Sequence, residues 1–211
     1  MTEIVSQDLI RGTLHHAVGG EHSRPAGGVV IGHGASSNSD AKLIVALAEA
    51  FAQAGFPALR IDLPFRQNRV KGPPHPSGGA KDREGIRAAL ELMKRDGKVY
   101  YAGHSYGGRM GSMVAAEDPA ACSALLLLSY PLHPPGRATQ LRTQHFSQIL
   151  RPTLFVHGTR DPFGTPDELR EALVLIPSHT ELYLAHGAGH ELKPVLEDPG
   201  EVVQRFGILA T

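Results

Sequence analysis

Short apolar runs alternate along the chain with longer stretches whose apolar residues recur every three to four positions. Runs of the first kind predict buried strands at residues 28–32 (GVVIG), 57–63, 99–102, 123–129, 153–156 and 181–184. The second pattern predicts helices at residues 39–54, 79–96, 106–117, 166–175 and 199–208. An edge strand is also predicted near residues 13–18. This alternation predicts an α/β fold with three layers, in which helices cover both faces of a mostly parallel sheet.

Turn and capping residues set the expected boundaries of these elements. Ser39 or Asp40 can cap the first helix and Gly55 ends it, while Pro119 stops the helix at 106–117. No repeat or linker divides the chain, so residues 1–211 are expected to form a single domain. The segment 63–80, LPFRQNRVKGPPHPSGGA, is predicted to be a loop at the carboxyl edge of the sheet, where reactive groups gather in such folds.

Composition narrows the classes of partner. The 211 residues carry 21 basic and 21 acidic side chains, so net charge gives no reason to expect nucleic acid or an anionic membrane as a partner. The single cysteine, Cys122, excludes an internal disulfide and suits a reducing compartment. The first residues lack the apolar core of a signal peptide, and the longest strongly apolar run, 124–128, is too short to span a bilayer. We expect a soluble cytoplasmic protein, while its oligomeric state is not predicted.

The candidate chemistry begins with GHSYG at residues 103–107, which fits the pattern G-x-S-x-G. It lies between a predicted strand and a predicted helix, the position that a nucleophile elbow requires. The chain reverses direction within a few residues there, so side chains at the flanking glycines would collide with neighbouring backbone. Ser105 is therefore the predicted nucleophile, and a purely structural turn is the alternative.

A serine hydroxyl needs a histidine to accept its proton and an acid to orient that histidine. In this architecture the acid and then the histidine follow the serine along the chain. Asp161 follows the strand at 153–156, and His190 follows the strand at 181–184. The alternatives are a turn or capping role for Asp161 and a solvent-exposed position for His190. His186 is a second candidate, but it lies directly after its strand and is expected to be structural.

An acyl-transfer site also needs donors for the oxyanion. We predict the backbone N–H groups of Tyr106 and of Ala35, with Ser36 as the next candidate after Ala35. This chemistry needs no metal and no organic cofactor. The spacing HGAGH at residues 186–190 resembles a zinc helix, but it lacks the glutamate and its glycines disfavour a helix.

Other polar residues near the predicted site are expected to be structural. His33 and His104 flank the site, and Arg60 and Asp62 suggest a buried ion pair or a loop anchor. Arg109 is expected to brace the neighbouring loops, and contact with the substrate is the less favoured alternative. Three basic residues of the segment 63–80 could attract an anionic substrate, although a solvated basic loop is favoured: Arg66, Arg69 and Lys71.

Six stretches together resemble the α/β-hydrolase superfamily over nearly the whole chain. They are HGAS (33–36), LRIDLPF (59–65), GHSYGGRM (103–110), SYPLHPPG (129–136), GTRDPFG (158–164) and GAGH (187–190). The chain is most similar to small lidless members related to dienelactone hydrolase, and to the proteins grouped with testis-expressed protein thirty and the third subunit of the non-specific lethal complex. The resemblance implies the triad Ser105, Asp161 and His190.

Two departures from these relatives matter for function. Dienelactone hydrolases use a cysteine nucleophile where this chain has Ser105. Many superfamily members carry a large cap after the strand at 123–129, whereas only 22 residues, 130–151, intervene here before the next strand. No cap domain is therefore expected, and the site should be open and shallow.

The leading hypothesis is a serine hydrolase that acts on a small-molecule carboxylic ester or thioester through an acyl-enzyme on Ser105. Two alternatives stay open. A small peptidase or amidase would use the same triad, and a non-catalytic interaction module could keep the same scaffold. Fold alone does not decide between them, and the natural substrate, acyl chain length and leaving group are not predicted.

Overall fold

A single eight-stranded sheet runs through the protein. The computed structural model describes residues 1–18, 27–94 and 97–210. The strands are β1 (Thr2–Gln7), β2 (Ile10–His15), β3 (Gly28–Gly32), β4 (Ala58–Ile61), β5 (Val99–His104), β6 (Ala124–Leu128), β7 (Thr153–Gly158) and β8 (Thr180–Ala185). Their order is β1-β2-β4-β3-β5-β6-β7-β8. The pairs β1–β2 and β2–β4 are antiparallel, and every other pair is parallel.

Helices cover both faces of this sheet. They are α1 (Lys42–Gln53), α2 (Pro64–Asn68), α3 (Gly79–Met93), α4 (Tyr106–Glu117), α5 (Pro166–Leu173), α6 (Lys193–Glu197) and α7 (Gly200–Ala210). Two separate apolar clusters follow from the alternation of side chains along the strands. Val30 and Tyr101 face the cluster that α3, α4 and α5 complete, while Val29 and Tyr100 face the cluster that α1, α6 and α7 complete. The predicted three-layer α/β-hydrolase fold is confirmed.

The predicted buried strands and all five predicted helices are present, with bounds that differ by a few residues. The beginning of the chain differs more: the predicted edge strand is β2, and β1 lies outside it. β1 is mostly exposed, with Ile4 at 75% exposure, so its sequence carries little of the alternation that marks a half-buried strand. The helix predicted at 79–96 ends at Met93, and residues 95 and 96 lie outside the described residues.

The segment 63–80 is more ordered than the predicted loop. Pro64 occupies the first turn of α2, where a missing N–H costs nothing, and Pro76–Gly78 forms a 3-10 turn before α3. The short segment between β6 and β7 contains one 3-10 turn, Phe146–Gln148, and no inserted domain. Within the described ranges, no helix combines the length and apolar character needed to cross a bilayer.

The predicted capping of α1 is wrong. Ala41 occupies the N-cap position, and no side chain bonds to the first turn. Ser39 and Asp40 instead anchor β4, because Arg60 Nη1 donates to the Ser39 carbonyl (2.9 Å) and to the Asp40 carboxylate. Asp62 Oδ1 accepts from the Ser39 N–H at 2.9 Å. Arg60 and Asp62 are thus loop anchors with separate partners, not an ion pair with each other.

Candidate active site

The turn between β5 and α4 holds Ser105 in a conformation that serine seldom adopts. Its φ is 51° and its ψ is −116°, outside the allowed regions for most side chains. The neighbours fix this geometry: the Ser105 N–H donates to the Leu128 carbonyl at 2.8 Å, and the Arg109 N–H donates to the Ser105 carbonyl at 3.0 Å. Such strain persists only where surrounding structure enforces it, and it is typical of functional sites.

The glycines beside Ser105 are required by close backbone approach. A Cβ at Gly103 would lie 2.6 Å from the Gly108 nitrogen, and one at Gly107 would lie 2.6 Å from the His33 oxygen. Both contacts are with backbone, which cannot rotate out of the way. The turn can therefore pack against β3 and α4 only if both positions are glycine.

Ser105, His190 and Asp161 are joined by two short hydrogen bonds. His190 Nε2 lies 2.8 Å from Ser105 Oγ, and His190 Nδ1 lies 2.8 Å from Asp161 Oδ2. The three residues follow β5, β7 and β8, whose carboxyl ends lie along the same edge of the sheet. The Asp161 side chain is fully buried and that of His190 is 16% exposed. His186 is exposed and lies outside this group.

The surroundings of Asp161 favour its ionised form. Burial would raise the pKa of its carboxyl group, but the hydrogen bond and charge of His190 and the Phe163 N–H (2.9 Å to Oδ1) outweigh burial and hold that pKa below its ordinary value. An ionised Asp161 accepts the Nδ1 proton of His190. Nε2 then has a free lone pair facing the Ser105 hydroxyl. The Phe163 ring, 4.3 Å from the imidazole centroid, packs against His190.

A cleft of about 590 Å³ opens above Ser105. This volume is within the range of small-molecule sites. Gly34, Ala35 and Ser36 line one part of it together with Tyr106, the first residue of α4. The N–H of a first helical residue has no intrahelical acceptor, and the helix N-terminus favours negative charge. Both predicted oxyanion donors, Ala35 and Tyr106, thus lie on the cleft that contains Ser105.

Comparisons with known proteins identify the family of this chain. A family described as "Alpha/beta hydrolase domain" matches residues 25–205. The chain belongs to the α/β-hydrolase family. It is similar in structure to Est1E from Butyrivibrio proteoclasticus, with a TM-score of 0.75, 20% identity and coverage of 99% of this chain and 98% of that chain.

Two further solved structures are similar to this α/β hydrolase. Dienelactone hydrolase from Anabaena variabilis matches with a TM-score of 0.72 and 21% identity, over 99% of this chain and 96% of that chain. The esterase domain of a Rhodothermus marinus protein matches with a TM-score of 0.72 and 16% identity, over 100% of this chain and 98% of that chain. At these identities the likeness establishes the fold alone.

Two buried histidines of the hydrolase hold the site together. His33 Nδ1 donates to the Gly34 carbonyl (2.8 Å), and its Nε2 accepts from the Leu63 N–H (3.1 Å), which ties the loop after β3 to the end of β4. Burial lowers the pKa of His33 to about 4, so it is neutral at pH 7. His104 Nε2 donates to the His190 carbonyl at 2.9 Å. Both fit the structural role predicted for them.

The prediction that Arg66 belongs to a solvated basic loop is wrong. Its side chain is buried and donates to four backbone carbonyls, those of Ala35 (2.9 Å), Ser37 (2.8 Å), Arg69 (3.0 Å) and Gly72 (3.1 Å). These bonds connect the loop that carries Ala35 to the segment after α2. Arg69 and Lys71 are exposed, as a solvated loop requires, and only Gly72 and Pro73 of this segment reach the cleft.

Sequence analysis did not identify Asp82 as a residue that supports the site. Its fully buried carboxylate accepts from the Tyr106 hydroxyl (2.6 Å) and the Phe65 N–H (2.9 Å). Burial raises the pKa of Asp82 above its ordinary value, despite these hydrogen bonds. The contact fixes the residue after Ser105 to α3. A lone aspartate on the apolar face of a predicted helix was the only signal available in the sequence.

The described part of the chain contains no cluster of three or more histidine, cysteine, aspartate or glutamate side chains that could hold a metal ion. Cys122 is buried in the apolar cluster beneath α4, and burial raises the pKa of its thiol to about 12. It is therefore protonated and unreactive at neutral pH.

Proposed function

We propose that this α/β hydrolase is a serine hydrolase that cleaves carboxylic esters or thioesters through an acyl-enzyme on Ser105. The observation that carries the proposal is the continuous contact from Asp161 through His190 to Ser105, with both distances at 2.8 Å. A nucleophile, its base and the group that orients the base all have the separations that proton transfer requires.

The reaction would proceed in two halves. Ser105 Oγ attacks the carbonyl carbon while His190 Nε2 takes the hydroxyl proton, and Asp161 stabilises the resulting imidazolium. His190 then protonates the leaving alcohol or thiol as the bond to it breaks, which leaves an acyl-enzyme. In the second half His190 Nε2 takes a proton from water as the water oxygen attacks the acyl carbonyl carbon. His190 then returns that proton to Ser105 Oγ as the bond from Oγ to the acyl carbon breaks, which releases the carboxylic acid and restores Ser105.

The oxyanion of each tetrahedral intermediate would be held by the backbone N–H groups of Tyr106 and Ala35. Tyr106 is fixed by α4 and by its hydroxyl bond to Asp82, and Ala35 is fixed through Arg66. Such fixed donors need no rearrangement when charge develops. One donor of this kind is worth about 10²- to 10³-fold in turnover.

The relatives support this class of reaction. Est1E has been solved with ferulic acid, a carboxylic acid, bound to it. A second structural relative is an esterase domain and a third is a dienelactone hydrolase. The finer resemblance to testis-expressed protein thirty, and the extent of the domain as residues 1–211, stay predictions.

A fluorophosphonate probe tests the proposal directly, because it reacts only with an activated serine. We expect the folded protein to be labelled at Ser105, and we expect Ser105→Ala to lose both labelling and hydrolysis of p-nitrophenyl esters. Ser36→Ala is the matched control, since Ser36 lines the same cleft and the substitution keeps its backbone N–H. An unlabelled folded protein that co-purifies with a partner would instead favour a non-catalytic module.

A further inference from the structure

Two arginines from different parts of the chain converge on the cleft above Ser105. Arg109 lies on α4, one helical turn beyond Ser105, and its backbone N–H donates to the Ser105 carbonyl. Arg142 comes from the segment between β6 and β7. The Tyr130 hydroxyl holds that segment in place by donating to the Arg142 carbonyl at 2.6 Å. The backbone of each arginine is therefore held in place, and both residues line the cleft that contains the candidate nucleophile.

Neither arginine has an acidic partner among the residues described. Arg142 Nη1 donates to the Pro131 carbonyl at 3.2 Å, and Arg109 Nε is buried without a hydrogen-bond partner within the same described ranges. Other arginines of the chain do pair with carboxylates: Arg11, Arg60, Arg83, Arg87, Arg170 and Arg205. Within the described residues the two arginines at the cleft are among those without a carboxylate partner, and both line the cleft that contains Ser105.

The groups around Arg109 do not neutralise it. Burial, and then the charge of Arg109, lower the pKa of Arg142, while Tyr130 acts in the opposite direction. Burial and Arg109 likewise lower the pKa of His145 to about 4, so His145 is neutral at pH 7. The acidic residue on the described cleft lining is Glu191, an exposed side chain next to His190 that also borders a smaller pocket with Lys193.

We propose that Arg109 and Arg142 bind an anionic group of the substrate, a carboxylate or a phosphate, while Ser105 acts on an ester bond of the same molecule. This inference rests on the proposed function and names its substrate class. A guanidinium presents N–H groups in a planar fork that matches two oxygens of such an anion. An anion bound at both arginines would also offset their like charges.

The substrate class that follows is an ester with a second, ionised group close to the scissile carbonyl, such as a monoester of a dicarboxylic acid. A neutral ester would still reach Ser105 and be cleaved, but without the contacts to the arginines. Because those contacts are made equally in the ground state and the transition state, their loss should raise KM more than it lowers kcat.

The experiment compares two esters that differ in one charge: mono-4-nitrophenyl glutarate and its neutral methyl ester. For the wild-type protein we expect a higher kcat/KM with the anionic ester. Each of two substitutions, Arg109→Gln and Arg142→Gln, should lower the kcat/KM of the anionic ester by about tenfold or more, because a charge-assisted contact is lost. The kcat/KM of the neutral ester should change by less than about threefold in either variant. A wild-type protein that does not prefer the anionic ester overturns the inference.

Arg137→Gln is the matched control. Arg137 is exposed, belongs to the same segment as Arg142 and lies outside the cleft, so its substitution removes one charge without removing a contact. We expect it to change neither ester's kcat/KM by more than about twofold, since distant surface charges are screened. Equal effects of Arg137→Gln and Arg109→Gln would overturn the inference. A melting curve for each variant establishes folding, and if Arg109→Gln unfolds, Arg142→Gln carries the comparison.

The inference and the proposed function can fail separately. If the probe labels Ser105 and both esters are cleaved alike, the proposed function stands and the anion site is overturned. If no ester is cleaved, calorimetric binding of mono-4-nitrophenyl glutarate to Ser105→Ala still tests the anion site, which requires weaker binding when Arg109→Gln is added.

Competition distinguishes the two sources of anion. Stronger inhibition by propionate than by inorganic phosphate assigns a carboxylate to the arginines, and the reverse order assigns a phosphate. Relief of that inhibition in Arg142→Gln is expected in either case. Inhibition by neither anion overturns the site.

Discussion

At the scale of single residues, the candidate site depends on a few atoms with no freedom to move. Ser105 has a positive φ, and the glycines beside it leave no room for a Cβ against the neighbouring backbone. Asp161 is equally constrained, because it is buried and its two carboxylate oxygens are bonded to His190 and to the Phe163 N–H. The reactive geometry is thus set by sterics at Ser105 and by hydrogen bonding at Asp161.

Asp161→Asn tests the second of these constraints. The amide can donate to Nδ1 and so favours the wrong imidazole tautomer, and it cannot stabilise the imidazolium. We expect kcat for a p-nitrophenyl ester to fall by about 10⁴-fold, the effect of the same change in a serine-protease triad, with little change in the melting temperature. Asp167→Asn, at an exposed position on α5, is the control. A loss of less than tenfold in kcat would show that Asp161 does not orient His190.

At the scale of elements, the short helix α2 connects two loops that the sequence did not predict to be in contact. Its buried Arg66 donates to carbonyls of the loop 34–37 and of the segment 69–72, and both contribute residues to the cleft lining. Arg66 thus braces loops, the role that sequence reasoning gave to Arg109, and Arg109 lines the cleft.

Arg66→Gln should therefore affect stability and turnover together. It removes a buried cation and leaves carbonyls without donors, so we expect the free energy of unfolding to fall by about 2–4 kcal/mol. Because the loop that carries Ala35 loosens, kcat should also fall, by about tenfold or more if the Ala35 N–H holds the oxyanion. Urea denaturation and ester hydrolysis measure the two effects. The exposed Arg69→Gln should change neither, and an unaltered Arg66→Gln would contradict the bracing role.

The order of strands and helices, and the site residues Ser105, Asp161 and His190, could be predicted from the sequence because they follow periodicity and known chain order. The partners of Arg60, Arg66 and Asp82 could not, because each lies on a segment distant in the sequence. The prediction of the residues that cap α1 was wrong for the same reason. Ser39 and Asp40 have the chemistry of caps, but contacts with β4 and the residue after it compete for their polar atoms.

At the scale of the whole molecule, the sheet gathers the site by joining the carboxyl ends of β3, β5, β7 and β8 along one edge. Two apolar clusters on opposite faces hold the layers in register. The same packing buries histidines in their neutral form, which links the stability of the fold to pH.

His33 makes that dependence measurable. An unfolded histidine titrates near 6.5, whereas folded His33 titrates near 4, so between these values only the unfolded state binds the proton. Protonation of His33 therefore costs no stability above about pH 6.5. As the pH decreases toward 4, it lowers the free energy of unfolding by on the order of 3 kcal/mol. The pKa of His145 is also lowered to about 4, so its protonation on unfolding likewise reduces stability as the pH decreases.

Denaturant unfolding at several pH values checks this expectation. His33→Gln should be less stable than the wild type at pH 7, because the geometry of two buried hydrogen bonds is disturbed, but its stability should depend less steeply on pH. His186→Gln, at an exposed position, should keep the wild-type slope. An unchanged slope in His33→Gln would show that His33 does not titrate on unfolding.

The sequence alone determined the α/β architecture and predicted the three residues of the candidate triad, because local periodicity and the strict order of motifs along the chain carry that information. Only the tertiary structure decided which polar groups are buried, which cations remain unpaired and which loops face the cleft. Those properties depend on contacts between segments far apart in the chain, such as Arg66 with Ala35 and Arg109 beside Arg142. The sequence predicted the nucleophilic serine, whereas only the tertiary structure placed Arg109 and Arg142 on the cleft around it.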